Sequence, residues 1–154
     1  MNGRAAGPVS PAPAFEHIFA ALAGEWRLDK EFSDRARFCG AARFLAVGAT
    51  ALRLEEEGVL SLAAGSSLKA FRQWDWVLEE GGVLAISYPS ESGGGIYHRF
   101  EPQFSAGEWA GAASHACAAD TYEAGYIVRP GHIVVAHRVT GPKKDYRIDA
   151  RFSR

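Results

Sequence analysis

The sequence lacks the features that would commit it to nucleic acid, a membrane or disulfide chemistry. Its 17 Lys and Arg residues are balanced by 18 Asp and Glu residues, so no basic excess indicates a nucleic-acid partner. No uninterrupted apolar run approaches the roughly 18 residues of a membrane-spanning helix. Its two cysteines, Cys39 and Cys117, cannot build a disulfide framework or a zinc site. A chain of 154 residues, 47% hydrophobic, is long enough for one folded domain.

The N-terminal residues 1–12 are rich in Ala, Gly and Pro and predict a flexible tail before a single domain at 13–154. The tail has no continuous apolar run, so it does not fit a secretory signal. Together with the two cysteines, this predicts a cytoplasmic protein. Whether it is a monomer or a homodimer stays open.

The periodicity predicts one short helix followed by strands. Phe15, Ile18, Phe19 and Leu22 recur at helical spacing before Gly24, which is a stop signal. From Trp26 onward the period becomes two, with Trp26, Leu28 and Phe32 on one face of the first strand. Turn signals divide the rest into about ten strands, which predicts an all-β fold.

Closure of the sheet is favoured because an open sheet of this size leaves long unpaired edges. Small residues at alternating positions, Gly40, Ala42 and Ala46, suit a strongly curved wall. We therefore expect a closed or nearly closed antiparallel meander barrel with the helix capping one end. A β-sandwich is the alternative.

Two sets of motifs carry a resemblance. The stretch LAGEW, at 22–26, resembles the G-x-W entry of lipocalins and other calycin barrels. The motifs HACAADTY at 115–122 and GPKKDY at 141–146 are similar to H-x-C-x-x-D-x-Y and G-P-x-K-D-Y in an uncharacterised family with a lipocalin-like fold. The resemblance implies a fold and no established activity. Its matching positions are His115, Cys117, Asp120, Tyr122, Gly141, Pro142, Lys144 and Asp145. An aromatic residue is expected where this chain has His137.

Four polar residues fall on the apolar phase of their strands: Glu56, Arg72, His98 and His137. Inward side chains fill a small barrel, and an unpaired buried charge is costly. Either these groups pair inside, for example Glu56 with Arg72, or they line a wet cavity.

A two-residue turn at Ala118-Ala119 would place Cys117 beside Asp120, and His115 beside Tyr122. This cluster is consistent with acid–base chemistry by His115 and Asp120, with a Cys nucleophile, or with structural hydrogen bonding in a hairpin. Lys144, after the Gly141-Pro142 turn, would lie at the rim, where it could attract an anionic group.

The histidines have neither H-x-H nor H-E-x-x-H spacing, so we predict no metal site and no cofactor. A haem or metal binder through His137 or His98 is an alternative, because the resemblance to calycins includes barrels that hold haem through one histidine, which could also be His132. Metal ligands could come from His98, His115, His137, Glu56 and Asp120 if these side chains converge.

The leading hypothesis is an intracellular protein that holds a small, hydrophobic or amphipathic ligand in the barrel lumen. Trp26, Phe44 and Phe100 would contribute apolar walls. The predicted ligand-binding residues are Glu56, Arg72, Trp74, Tyr88, His98, His115, Cys117, His137 and Lys144. An isomerase, cyclase or lyase is the alternative, with candidate catalytic residues His115, Asp120, Tyr122 and His98.

Overall fold

The structure, a computed structural model, describes residues 12–154, so nearly all of the predicted tail at 1–12 lies outside the described residues. One α-helix, α1, is followed by eleven strands, and short 3-10 turns occur at Glu80–Gly82 and Ser90–Ser92. None of the helices described is long and apolar enough to cross a membrane. The elements are α1 Ala12–Ala21, β1 Gly24–Phe32, β2 Arg37–Gly48, β3 Ala51–Ser61, β4 Ser67–Glu79, β5 Val83–Ser87, β6 Ile96–Phe100, β7 Gln103–Ser105, β8 Glu108–Cys117, β9 Asp120–Arg129, β10 His132–Gly141 and β11 Lys144–Ser153.

All eleven strands belong to one antiparallel sheet, which confirms the predicted all-β fold. The order is β6-β5-β4-β3-β2-β1-β11-β10-β9-β8-β7, so β1 pairs with both β2 and β11 and the sheet curls around a common interior. The prediction of about ten strands missed β7, which has only three residues. Alternating side chains face inward, because successive residues of a strand point to opposite faces.

The curled sheet has a seam where its two ends meet, because no backbone ladder joins β6 to β8. Side chains hold this seam instead. The Phe100 ring of β6 packs directly on Gly111 of β8, where an added Cβ would lie 2.1 Å from a ring carbon. Close approach of this kind requires a glycine. The sheet therefore forms a barrel in which backbone hydrogen bonds join all neighbouring strands except at the seam between β6 and β8.

The helix covers one end of the barrel, as predicted. Phe19 and Leu22 are buried, and the indole N–H of Trp26 donates to the Leu22 carbonyl at 2.9 Å. The guanidinium of Arg154 lies 4.2 Å from the centroid of the Trp26 ring and donates to backbone carbonyls at the end of the helix. This helix-bearing end is closed. The side chain of Phe15, predicted on the same helix face, lies outside the described part of the chain.

We call the opposite end of the barrel the mouth. Because β1 starts beside the helix and runs away from it, the β1–β2, β3–β4, β8–β9 and β10–β11 turns all lie at the mouth. The HACAADTY and GPKKDY motifs, which span the last two of these turns, are therefore neighbours in space.

β2 and β3 approach each other closely at a pair of glycines. Gly40 and Gly58 are paired in the ladder, and an added Cβ would lie 2.1 Å from a carbonyl oxygen of the facing strand at Gly40 and 2.4 Å from one at Gly58. This close approach requires a glycine at position 40, while its part in the curvature of the wall stays a prediction. Ala46 lies beside a β-bulge near the end of β2.

Candidate functional site

A cavity of about 470 Å³ lies inside the barrel. Asp34, Phe71 and Arg72 line it and are exposed, which places its opening at the mouth. The apolar wall includes Phe38, Leu54, Trp74, Trp76, Val135 and Phe152. The polar lining consists of Lys30, Asp34, Glu56, Arg72, Tyr97, Tyr122, Tyr126, His137 and Tyr146. The volume and the mixed lining fit a small organic molecule.

Glu56 pairs with Lys30 across the cavity wall, and this corrects the expected pairing with Arg72. Arg72 is directly opposite Glu56 in the ladder, but the Glu56 carboxylate lies 2.6 Å from Lys30 Nζ. The pair is shielded, with side-chain exposures of 6% for Glu56 and 18% for Lys30. Lys30 shares the inward phase of Trp26 and Leu28, so the alternation of β1 contained the signal that would have found it.

Arg72 is left without an acidic partner within 4.0 Å among the described residues. Its guanidinium lies 5.5 Å from the centroid of the Trp74 ring, at the distance of a cation–π contact. The Trp74 ring in turn contacts the rings of Tyr88 and Tyr97, with centroids 5.2 and 4.9 Å away. Arg72 therefore brings a charge into the cavity that no carboxylate of the described wall neutralises.

His98 is almost fully buried, at 1% exposure, and both of its ring nitrogens are hydrogen-bonded. Nε2 lies 3.1 Å from the Tyr122 backbone oxygen, which can only accept, so Nε2 carries the proton. Nδ1 therefore accepts from the Tyr126 hydroxyl at 2.5 Å. Burial lowers the pKa of His98 and favours this neutral form. His98 ties β6 to β9, and in this arrangement it has no free nitrogen for proton transfer or for iron.

A β-bulge in β6 changes which of its residues face the barrel interior. Ile86 faces His98 but Ser87 faces Ile96, so Tyr97 is the extra residue of this strand. Tyr97 and His98 are both buried, and Ile96 is 49% exposed although simple alternation placed it on the inward face with His98. Bulges change side-chain direction in this way. The bulge adds Tyr97 to the cavity lining, a residue that sequence alternation missed.

His137 lines the cavity and is half-buried. Neither ring nitrogen forms a hydrogen bond with the described residues, and the nearest imidazole, of His98, is stacked at 6.2 Å. Burial is the largest cause that lowers the pKa of His137 to about 4, and the neighbouring His98 and the charges of Lys30 and Arg72 act in the same direction. At neutral pH, His137 therefore presents an uncharged imidazole to the cavity.

The HACAADTY hairpin has the predicted register: Cys117 is opposite Asp120, and His115 is opposite Tyr122. Ala118 makes the turn with a φ of 54°. The charges, however, are arranged differently from a Cys/His/Asp site. Asp120 lies 3.0 Å from Lys144 Nζ and forms no hydrogen bond with His115 in the described structure.

The HACAADTY and GPKKDY motifs form one structural unit at the mouth. Lys144 of GPKKDY also donates to the Tyr122 hydroxyl at 3.1 Å, and these two contacts raise the pKa of Lys144. A Cβ on Gly141 would lie 2.0 Å from Asp120 Oδ1, so the turn needs a glycine to admit this carboxylate. These contacts give structural roles to Asp120, Tyr122, Gly141 and Lys144.

The predicted ligand-binding and catalytic residues divide into two groups. Those that line the cavity are Glu56, Arg72, Trp74 and His137, together with Tyr122 from the predicted catalytic set. Tyr88, His98, His115, Cys117, Asp120 and Lys144 lie outside the lining. Tyr88 packs against Trp74, His115 contacts Tyr97 and Tyr122, and Cys117 is exposed. Trp26, Phe44 and Phe100, expected as apolar walls, are also outside the lining.

Five polar residues of the cavity lining were missed in the sequence: Lys30, Asp34, Tyr97, Tyr126 and Tyr146. Tyr126 and Tyr146 follow the inward alternation of β9 and β11, which was the available signal. Within the described residues, no group of three or more His, Cys, Asp or Glu side chains is placed to hold a metal ion.

The fold and the site together define a β-barrel with an internal, partly open cavity. The chain belongs to a family of unknown function, DUF6314, which it matches over residues 22–154. Kinship of this family with lipocalins or calycins stays a prediction. No curated protein matches the chain in sequence.

Solved structures with a similar fold share little sequence with this chain. Rv2717c from M. tuberculosis has a TM-score of 0.63 at 12% identity, over 92% of this chain and 97% of its own. The barrel EF1p2_mFAP2b has a TM-score of 0.51 at 10% identity, over 91% and 98%. A de novo designed fluorescence-activating β-barrel has a TM-score of 0.50 at 11% identity, over 89% and 96%. At these identities the likeness shows the fold alone.

Proposed function

We propose that this protein binds a small, partly apolar molecule in its barrel cavity. The observation that carries the proposal is the cavity of about 470 Å³, which combines an aromatic wall with polar groups, Arg72 and His137 among them, that form no hydrogen bond or ion pair with the described residues. A barrel evolved only as a scaffold would fill this space or pair its inward polar groups. Arg72 and His137 are instead left available to a ligand.

Two proteins of similar fold support this role. The structure of EF1p2_mFAP2b has the small molecule DFHBI bound, and the de novo designed barrel was made to activate fluorescence. Free, exposed Cys39 and Cys117 support a location in the reducing cytoplasm.

The test is a binding assay with a blocked cavity. Ala70 is half-buried and lines the cavity near the mouth, so Ala70→Trp places an indole in the ligand space. We expect the neutral dye N-phenyl-1-naphthylamine to fluoresce on binding the wild-type protein, and to lose at least tenfold in affinity in this variant. Ala41→Trp, which adds the same indole to the exposed face of β2, is the matched control and should bind as wild type does. Equal binding by both variants would place the dye outside the cavity and refute the proposal.

Native mass spectrometry of the protein purified from its own cells identifies the natural ligand. A retained organic molecule whose occupancy falls in Ala70→Trp supports the proposal. A Soret band in the same preparation would instead support the haem prediction, for which His137 is the histidine with unbonded nitrogens facing the cavity in the described structure. The enzyme prediction through His115 or His98 stays a prediction.

A further inference from the structure

The cavity has an asymmetric charge distribution that the binding of an apolar molecule does not explain. Lys30 and Glu56 neutralise each other at 2.6 Å. Asp34, at the rim, accepts a hydrogen bond from the backbone N–H of Ala36 at 2.9 Å. Arg72 is the cation of the lining that has no carboxylate within 4.0 Å in the described part of the chain. An arginine fork is well suited to a carboxylate or sulfonate.

Further hydrogen-bond donors lie along the same wall. The Tyr97 hydroxyl forms no hydrogen bond with the described residues, and its ring is 4.9 Å from Trp74 and 6.3 Å from His137. Contacts thus run from Arg72 through Trp74 and Tyr97 to His137, across β4, β6 and β10. The positive charge of Arg72 acts on both Tyr97 and His137, so these groups share one electrostatic environment.

We infer that the ligand is an organic acid with a flat, apolar body, whose acid group binds Arg72, with the Tyr97 hydroxyl and the His137 imidazole as neighbouring donors. This inference rests on the proposed function and specifies its ligand class. The aromatic body packs along Trp74 and the apolar wall, where stacked and edge contacts between rings are favourable. The uncharged imidazole supplies an N–H donor, and the buried tyrosine supplies an O–H donor.

Two dyes that differ by one acid group test the inference. The probes are 8-anilinonaphthalene-1-sulfonate and N-phenyl-1-naphthylamine, which share the anilinonaphthalene body. We expect wild type to bind the sulfonate more tightly than the neutral dye. Arg72→Met keeps the apolar stem beside Trp74 and removes the charge. It should lower the affinity for the sulfonate at least tenfold, the order expected for a lost charged hydrogen bond. The affinity for the neutral dye should stay within twofold of wild type.

Three further variants make the outcome specific. Arg72→Lys should recover part of the sulfonate affinity, because it keeps the charge without the fork. Tyr97→Phe, which removes only the hydroxyl, should lower the affinity for the sulfonate severalfold. Arg151→Met makes the same charge change on the exposed outer face of β11 and should have no effect beyond twofold. Far-ultraviolet circular dichroism of each variant establishes that the barrel is folded.

The failures of the two proposals are distinguishable. If Ala70→Trp abolishes binding of the neutral dye but Arg72→Met weakens the sulfonate no more than Arg151→Met does, the acid site is refuted and the cavity binder stands. If neither dye binds the wild-type protein, or Ala70→Trp changes neither, both proposals are refuted.

Discussion

Because His137 is neutral in the folded protein, we expect the protein to lose stability in weak acid. Replacing His137 should remove the part of this loss that comes from its imidazole. Its pKa is about 4 in the folded protein against an ordinary value of 6.5. The unfolded chain therefore binds more protons between these values, so the stability present above pH 6.5 is lost as the pH falls towards 4. Between about pH 7.5 and 5.0 the linkage relation gives a loss of about 2 kcal/mol from this residue. Burial lowers the pKa of His98 as well, which adds to the loss in the same direction.

Urea unfolding followed by tryptophan fluorescence measures this loss at the two pH values at constant ionic strength. Replacing His137 by Phe should reduce the pH-dependent loss by about 2 kcal/mol relative to wild type. His137→Gln is the control for packing, because it removes the titrating group without adding a ring. Both variants should show the same reduced loss, whatever their stability at neutral pH. A wild-type loss retained in both would show that the imidazole is not the group that titrates.

Two further predictions concern stability at neutral pH. Gly141→Ala should destabilise by about 1–3 kcal/mol, because the new Cβ would displace the carboxylate of Asp120, whereas Gly125→Ala, with no atom within 4 Å of the added Cβ, should be neutral or stabilising in the same urea assay. Glu56→Leu should cost about 3–5 kcal/mol by leaving the Lys30 charge shielded and unpaired, and the double variant with Lys30→Met should recover most of that loss. A double variant no more stable than the single one would contradict this account of the pair.

The strands were predictable because period two is a local property of the chain. Inward residues of β9 and β10 follow directly from it, and the two-residue turn at Ala118-Ala119 sets the register of Cys117 with Asp120. The same local information placed Glu56 and His137 on the inner wall, and the structure brings both into the cavity lining.

What could not be predicted depends on three-dimensional neighbours. Alternation identified Glu56 and Arg72 as inward, but the choice of Lys30 as the partner of Glu56 depends on the curvature that brings β1 over β3. The bulge at Tyr97 has no signal in the alternation itself, since it arises from a mismatch between β5 and β6. The two hydrogen bonds of His98, to the Tyr126 hydroxyl and to the Tyr122 backbone oxygen of β9, also depend on the fold, so strand alternation could not predict them.

The close approach of Gly141 to Asp120 has a consequence for how the family can change over time. The two residues belong to different hairpins, yet a side chain gained on one leaves no space for the carboxylate of the other. A relative that acquires a larger residue at the end of β10 can keep this turn only by moving, shortening or losing the acidic side chain. The residues at these two positions are therefore expected to change together among relatives.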